Sequence, residues 1–566
     1  MFGSYKFRLE YLENGKKKSI VGKETELYFL KEIANDSNIE IAIIPKKPIE
    51  MLRAYVDLDY DFKPNDKVYV NGYQSWTVSR EYTKDDIQPG IMDKFGKYKA
   101  KELYHMMGDY DFQNYSKQKG GFHSFSYTYI KSNGVYVLLG SLTEKYGYTI
   151  FEYDMKKNRL SIAKDVEAVT ITDRYQLFSV CKFSGNYNEV FDAYFARIGI
   201  PKPRFGRMKG YTSWYNYYGE ISEEILVRDL ESLSAIGDKA DIFQIDDGYQ
   251  TAVGEWTTIK TERFPSGMKS LVDKIHDKGY KAGIWLAPFN VQKNSQIVKE
   301  HPEWLIKTAK GKFDDGVPCW GGAYTFDIYV PEAREYIKNC FNVILNEWGF
   351  DMVKLDFLYS ECHLPRCGKS RGQIMTEAME FLRECVGDKI ILGCGVPLFP
   401  AFGLVDFCRI SADVGTSFVT SEEVKHSTQE VPCTKSAMNN TIFRRHLDKR
   451  AFINDPDVFY IRENEIASKD EYALPCSKLE FTDSQKELVV RINSMLGNVL
   501  FVSDNIGGYN EKQLNRLLKA FAKPKETVLD AEYINKDEIK IIYETDGIKW
   551  QLLFNTTNGD YTDTQM

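Results

Sequence analysis

The run Met352-Val353-Lys354-Leu355-Asp356-Phe357 is short and apolar, ends in a carboxylate, and follows an amphipathic stretch of helical periodicity from Glu332 to Trp348. A strand fed by a helix and closed by a polar residue is the repeating unit of a parallel α/β sheet. Seven further runs of this kind flank it: Gly210 to Trp214, Ile242 to Asp246, Ala282 to Trp285, Ile390 to Cys394, Cys408 to Ser411, Ala451 to Asn454 and Val499 to Ser503. Eight such strands close a barrel, and the site of such a barrel lies at the C-terminal strand ends, where the carboxylates of this chain cluster.

Outward from the barrel the pattern changes. Residues 1 to about 185 hold short Tyr-, Val-, Ile- and Thr-rich runs, such as Val68 to Val70 and Ala168 to Thr172, broken by Asn-Gly and Gly-Gly turns. They predict antiparallel strands. A helical stretch from Asn188 to Gly199 and the Pro-rich Ile200 to Arg204 then mark a boundary. Beyond a last helix, Glu511 to Ala522, strands are predicted over Val528 to Tyr533, Ile539 to Tyr543 and Lys549 to Phe554. The expected architecture is multidomain α/β: an N-terminal β-sandwich domain over 1–200, a (β/α)8 barrel over 205–522 and a small C-terminal β domain over 523–566.

Composition narrows the function. With 566 residues, 43 % of them hydrophobic and 14 % aromatic, the chain buries a large core and is not disordered. The net charge of −7 (74 basic against 81 acidic residues) comes without a basic stripe, which argues against a nucleic-acid partner. No apolar run is long enough to span a membrane and no secretory leader is read at the start, so a soluble, cytoplasmic protein is expected. The 10 scattered cysteines suit reduced thiols.

Strand alternation sends Lys354 and Asp356 to one face, and a lysine beside the aspartate is expected to keep it ionised. Such a carboxylate serves as a nucleophile toward a sugar C1 or as half of an interior ion pair. Two strands on, Arg409 and Asp413 share a face. Inward side chains on strands so spaced bring two carboxyls to about 5–5.5 Å, the separation of retaining glycoside hydrolysis. Taken alone, Asp413 reads as a helix N-cap. Asp246 and Asp247 offer adjacent acceptors for sugar hydroxyls, and Trp214 and Trp285 offer flat faces for a pyranose ring. Asn454-Asp455-Pro456-Asp457 and Ser503-Asp504-Asn505 read as wall or capping residues. Cys362-His363 with Cys367 has no second pair of ligands and reads as a mobile surface loop, and Asp57, Asp59 and Asp61 lack the glycine and glutamate of a calcium loop. No metal is implied.

The order and spacing of eight motifs resemble glycoside hydrolase family 36 α-galactosidases of the melibiase clan, in particular the shorter bacterial members. They are Asn71 to Trp76, Gly210 to Tyr215, Phe243 to Asp247, Gly283 to Phe289, Lys354 to Phe357, Leu392 to Gly395, Arg409 to Asp413 and Asn454 to Asp457. The resemblance implies an N-terminal β-supersandwich, a TIM barrel and a C-terminal β domain. It implies Asp356 as nucleophile, Asp413 as acid/base, and Asp246 and Asp247 as holders of the galactose 4- and 6-hydroxyls. Lys354 and Arg409 would contact hydroxyls on the other side of the ring. Trp214 and Trp285 would line the pocket, Trp76 would reach in from the N-terminal domain, and Cys394 and Gly395 would lie near the 2-position. No cofactor is implied. The segment Cys394 to Leu398 lacks the Gly-rich sequence of many long members, so an α-N-acetylgalactosaminidase stands beside the α-galactosidase. An α-galactosyl transferase of the raffinose-synthase type shares the same intermediate. Substrates are expected to be α-galactoside oligosaccharides such as melibiose and raffinose. The stretches Cys362 to Cys367 and Gly316 to Ala323 fall on the expected aglycone side.

Overall fold

The computed structural model describes residues 2–90, 109–419, 432–465 and 470–566. Two antiparallel sheets of six and seven strands form the N-terminal domain. Their alternating apolar residues, among them Phe7, Leu9, Ile39, Ile41, Val56, Ile162 and Val180, meet in one shared core. Long strands carry the sheets: Ile49–Asp59 pairs with Arg159–Ile171, whose register shifts between Asp165 and Val169. Ala168, at φ +66°, forms the bulge there.

An eight-stranded parallel sheet follows, in the order seventh, sixth, fifth, fourth, third, second, first, eighth. Its strands are Met208–Thr212, Ile242–Ile245, Lys281–Leu286, Met352–Leu355, Ile390–Gly393, Phe407–Arg409, Ile453–Asp455 and Val499–Val502. All eight predicted runs are strands of this sheet. Between the seventh and eighth strands the ring is nearly closed by Asn498 N–H donating to the Asn454 carbonyl at 3.1 Å. Helices cover the outside. Glu223–Ser234 is capped by Ser222 and presents Ile225, Leu226, Leu230 and Leu233 to the core at helical spacing. The helix expected over Glu332 to Trp348 begins at Pro331 and widens into a π turn over Val343–Glu347.

The C-terminal sheet has four strands, not three: Thr527–Tyr533, Glu538–Thr545, Ile548–Asn555 and Tyr561–Gln565. The last, Tyr-Thr-Asp-Thr-Gln, carries no apolar alternation and is a strand because Ile548–Asn555 offers it an edge. This sheet docks on both neighbours. Glu532 pairs with Lys67 at 2.7 Å, and Tyr533 stacks on Phe443 with centroids 5.3 Å apart.

Several carboxylates are buried in the body of the protein. Burial pushes Glu361 up to about 8 against the opposing charge of Arg366, and Asp229 up to about 6 against Arg228. An unfolded carboxyl titrates near about 4, so between these values the folded chain holds protons that the unfolded chain has released. Stability therefore rises as pH falls through this window, by up to about 1.4 kcal/mol per pH unit for each such group. The melting temperature is expected to be a few degrees higher at pH 6 than at pH 8.5. A flat or inverted profile in calorimetry would contradict it.

Candidate active site

The C-terminal ends of the barrel strands enclose a cavity of about 210 Å³ lined by Trp76, Trp214, Asp246, Asp247, Trp285, Cys319, Trp320, Lys354, Asp356, Phe357, Ala412, Asp413 and Pro432. Pockets for drug-sized ligands run to roughly 300–1,000 Å³, so this one suits a single ring. A larger groove, about 1,020 Å³, lies between the helices Asp483–Leu496 and Glu511–Phe521 and the C-terminal sheet. It is open, and its acids and bases pair with one another, as Arg516 does with Glu487 at 2.8 Å. The convergent carboxylates are in the barrel.

Asp356 follows directly on the fourth strand. Its N–H still pairs with the Leu286 carbonyl at 2.8 Å, and Phe357 then turns the chain at φ +54°. An aromatic residue in this left-handed conformation costs about 1–3 kcal/mol, and the turn it makes lets Phe357 N–H donate to Asp356 Oδ1 at 2.8 Å. Trp285 Nε1 donates to the other oxygen at 3.1 Å. Gly395, itself at φ +54°, lies against this turn. A Cβ there would stand 3.0 Å from Phe357 N and 2.9 Å from Trp76 Cζ2, so only glycine fits.

The lysine does not act as the strand pattern suggested. Lys354 Nζ donates to Asp246 Oδ2 at 2.8 Å, across the barrel, rather than to Asp356. Burial therefore wins at Asp356 and raises its proton affinity. The Lys354 charge and the Trp285 hydrogen bond oppose the shift, and the charge of Asp413 adds to it.

Asp246 and Asp247 are held by separate sets of donors. Gln244 Nε2 reaches Asp246 Oδ2 at 2.7 Å, and Gln250 Nε2 reaches Asp247 Oδ1 at 2.6 Å. A carboxylate oxygen can accept more than one hydrogen bond, so Asp247, with one side-chain donor on each oxygen, keeps acceptor capacity for a ligand in fixed orientation. Asp413 enters from the opposite wall with its side chain 45 % exposed, and takes Arg409 Nη2 at 3.1 Å. Two acids of contrasting exposure thus face one ring-sized space.

Residues 212–379 match the family model described as Melibiase. That stretch of the barrel is similar to a melibiase domain. Among curated relatives, an A type blood alpha-D-galactosamine galactosaminidase from Flavonifractor plautii is 25 % identical over 270 residues, 44 % of this chain and 25 % of that protein. An alpha-galactosidase from Escherichia coli is 26 % identical over 151 residues, 25 % of this chain and 20 % of that one. The matched stretches span a quarter or less of these relatives' length. Among solved structures, the Thermus thermophilus alpha-galactosidase TtGalA, in complex with p-nitrophenyl alpha-D-galactopyranoside, has a TM-score of 0.69 at 22 % identity and 99 % coverage of both chains. The alpha-galactosidase AgaA of Geobacillus stearothermophilus has a TM-score of 0.62 at 11 % identity, covering 97 % of this chain and 81 % of that one. At these identities the likeness is one of fold, and it includes the three-part architecture.

The structure places most of the expected residues on the cavity wall, with three exceptions. Arg409 is 2 % exposed and sits behind the wall. Its guanidinium is shared between Asp413 and Asp457, the latter at 2.9 Å, so it orients the acid rather than reading a hydroxyl. Cys394 lies under Trp76, whose Nε1 donates to Cys394 Sγ at 3.4 Å, and Gly395 is tucked beside it. Neither lines the space. Trp214 does, but from a short helix, Trp214–Tyr217, rather than from the first strand.

Two sequence readings are corrected around the cavity. Cys362 and His363 are not on a mobile surface loop: they are 0 % and 4 % exposed, at the end of a 3-10 turn, and Tyr73 contacts Cys362 Sγ at 3.1 Å. Among the described residues no group of three metal-ligating side chains forms there or elsewhere. Asp457 is more than a capping residue. It accepts from Val414 N–H at 2.8 Å and from Tyr215, and burial raises its proton affinity against the pull of Arg409.

Trp320 was not anticipated as a wall residue. It stands at φ +56° between Pro318 and Gly321-Gly322, donates from Nε1 to Asp247 Oδ2 at 2.9 Å and packs edge-on against Trp285 and Phe357. The available signal was a Trp framed by turn residues within Gly316 to Ala323, but nothing local points that loop back over the barrel.

Proposed function

We propose that the protein is a retaining exo-α-galactosidase acting on terminal α-linked galactose. The observation that carries this reading is the pairing of buried Asp356 with half-exposed Asp413 on the walls of one ring-sized cavity. In this reading an Asp356 oxygen bonds the anomeric carbon as the glycosidic C–O bond breaks. The electron pair stays on the leaving oxygen, which takes the Asp413 proton. Asp413 then removes a proton from water, the water oxygen bonds C1, and the pair of the ester bond returns to Asp356. A cavity sized for one ring favours exo action. Melibiose- and raffinose-type substrates fit such a pocket, and two structural neighbours are complexes with stachyose and raffinose. Cysteines that form no disulfide accord with a cytoplasmic setting.

The test is a panel of aryl α-glycosides differing at the 2- and 4-positions, with proton NMR of the first-formed sugar. Galactoside turnover releasing the α anomer first supports the reading, and a β anomer overturns retention. The similarity to a galactosamine galactosaminidase makes a sugar carrying nitrogen at the 2-position, 2-amino or 2-acetamido, the second reading, and preferential turnover of either glycoside would establish it.

Trp285→Phe removes the side-chain donor to Asp356 while keeping an aromatic wall. A hydrogen bond to a charged group contributes about 1.5–3 kcal/mol, so kcat/KM is expected to fall about 10- to 100-fold. Because that bond opposes the upward shift of Asp356, its loss moves the acid limb of the pH profile to higher pH. An unmoved limb would show that Trp285 does not hold the nucleophile.

A further inference from the structure

We propose that Arg444 is a positioning residue that holds the Trp76 wall, contributed by the N-terminal domain, and the strand leading to Asp413 in one frame. This rests on the reading above. Arg444 is 0 % exposed. Its Nε donates to Ser79 Oγ at 2.9 Å, and its Nη2 to the carbonyls of Gln74 at 2.9 Å and Thr77 at 2.8 Å. Its Nη1 donates to the carbonyl of Ser75 and to that of Ile410 at 2.8 Å. Five donors thus go to one hydroxyl and four carbonyls, and among the described residues Arg444 has no carboxylate partner.

A buried cation without a counter-ion is expensive, and burial pulls the Arg444 pKa down. A neutral contact would join two domains more cheaply. What the guanidinium adds is a planar fork of fixed geometry. One nitrogen joins the carbonyl of Ser75, next to Trp76, to that of Ile410, three residues before Asp413. The rest of the segment is pinned from both sides. Asn440 donates to the Thr77 carbonyl at 3.1 Å and accepts from Ser79 N–H at 2.9 Å, while Ser75 N–H donates to the Val396 carbonyl at 2.9 Å. Trp76 then has little freedom to move without Asp413 moving too.

The experiment uses the full chain, with p-nitrophenyl α-galactoside and melibiose as substrates. Arg444→Lys keeps a charge but has too few donors for the five acceptors. KM is expected to rise about tenfold for both substrates, and kcat to fall further on melibiose, where placement of the acid matters. In a Trp76→Ala background the KM effect of Arg444→Lys should vanish. A lower melting temperature with unchanged KM and kcat, or KM effects that multiply across the two mutations, would overturn the proposal. If the lysine variant does not fold, Asn440→Ala loosens the same segment and is read in the same cycle, where an unchanged KM overturns it. Turnover by the wild type with an additive cycle defeats this proposal alone, whereas absence of wild-type turnover defeats the function it rests on.

Discussion

Asp356→Gly is expected to lower kcat for p-nitrophenyl α-galactoside by about 10⁴-fold or more, because the covalent step loses its only nucleophile. Added azide should restore turnover by entering the vacated space, giving a β-galactosyl azide. Full activity in the glycine variant would remove Asp356 from the mechanism. The companion Asp356→Asn should be equally inactive yet melt higher than the wild type. Burial makes the folded chain favour the neutral form of this carboxyl, so at neutral pH the ionised group weakens the fold. An amide removes that charge and keeps one acceptor oxygen, for either Trp285 or Phe357. A drop in melting temperature would mean that the charge is stabilising where it stands.

Asp413→Ala is expected to divide substrates by leaving group. On melibiose the departing alkoxide needs a proton, and losing the acid should cost about 10²- to 10⁴-fold in kcat/KM. A p-nitrophenolate leaves unaided, so kcat/KM on the aryl galactoside should fall far less. There kcat and KM should fall together as the covalent intermediate accumulates without its base. Equal losses in kcat/KM on both substrates would assign Asp413 a different role. Its exposure suits an acid that later acts as a base. In the proposed mechanism the half-exposed side chain would meet both the leaving group and the incoming water, while buried Asp356 would meet only C1.

The barrel was legible because each strand is an apolar run bounded by polar residues, and each covering helix repeats its apolar face every three or four residues. The carboxylates were legible for the same reason, since they fall where the runs end. Signals that depend on distant partners were not. The strand Tyr561–Gln565 has no pattern of its own, and Cys362 is buried by Tyr73 from another domain.

The Lys354-x-Asp356 reading shows the limit most clearly. Alternation correctly puts both residues on one face, but two residues along a strand is a short step compared with what lies across a barrel. The ammonium therefore donates to Asp246. Arg409 likewise turned toward Asp457 as well as Asp413. The sequence alone determined the element order, the barrel and the identities of the acids at its mouth, because local periodicity and strand ends are properties of neighbouring residues. Only the tertiary structure decided which cation serves which acid, how far each acid is desolvated and that Trp320 and Arg444 join the site. Those follow from through-space distance and burial, which the order of residues along the chain does not encode.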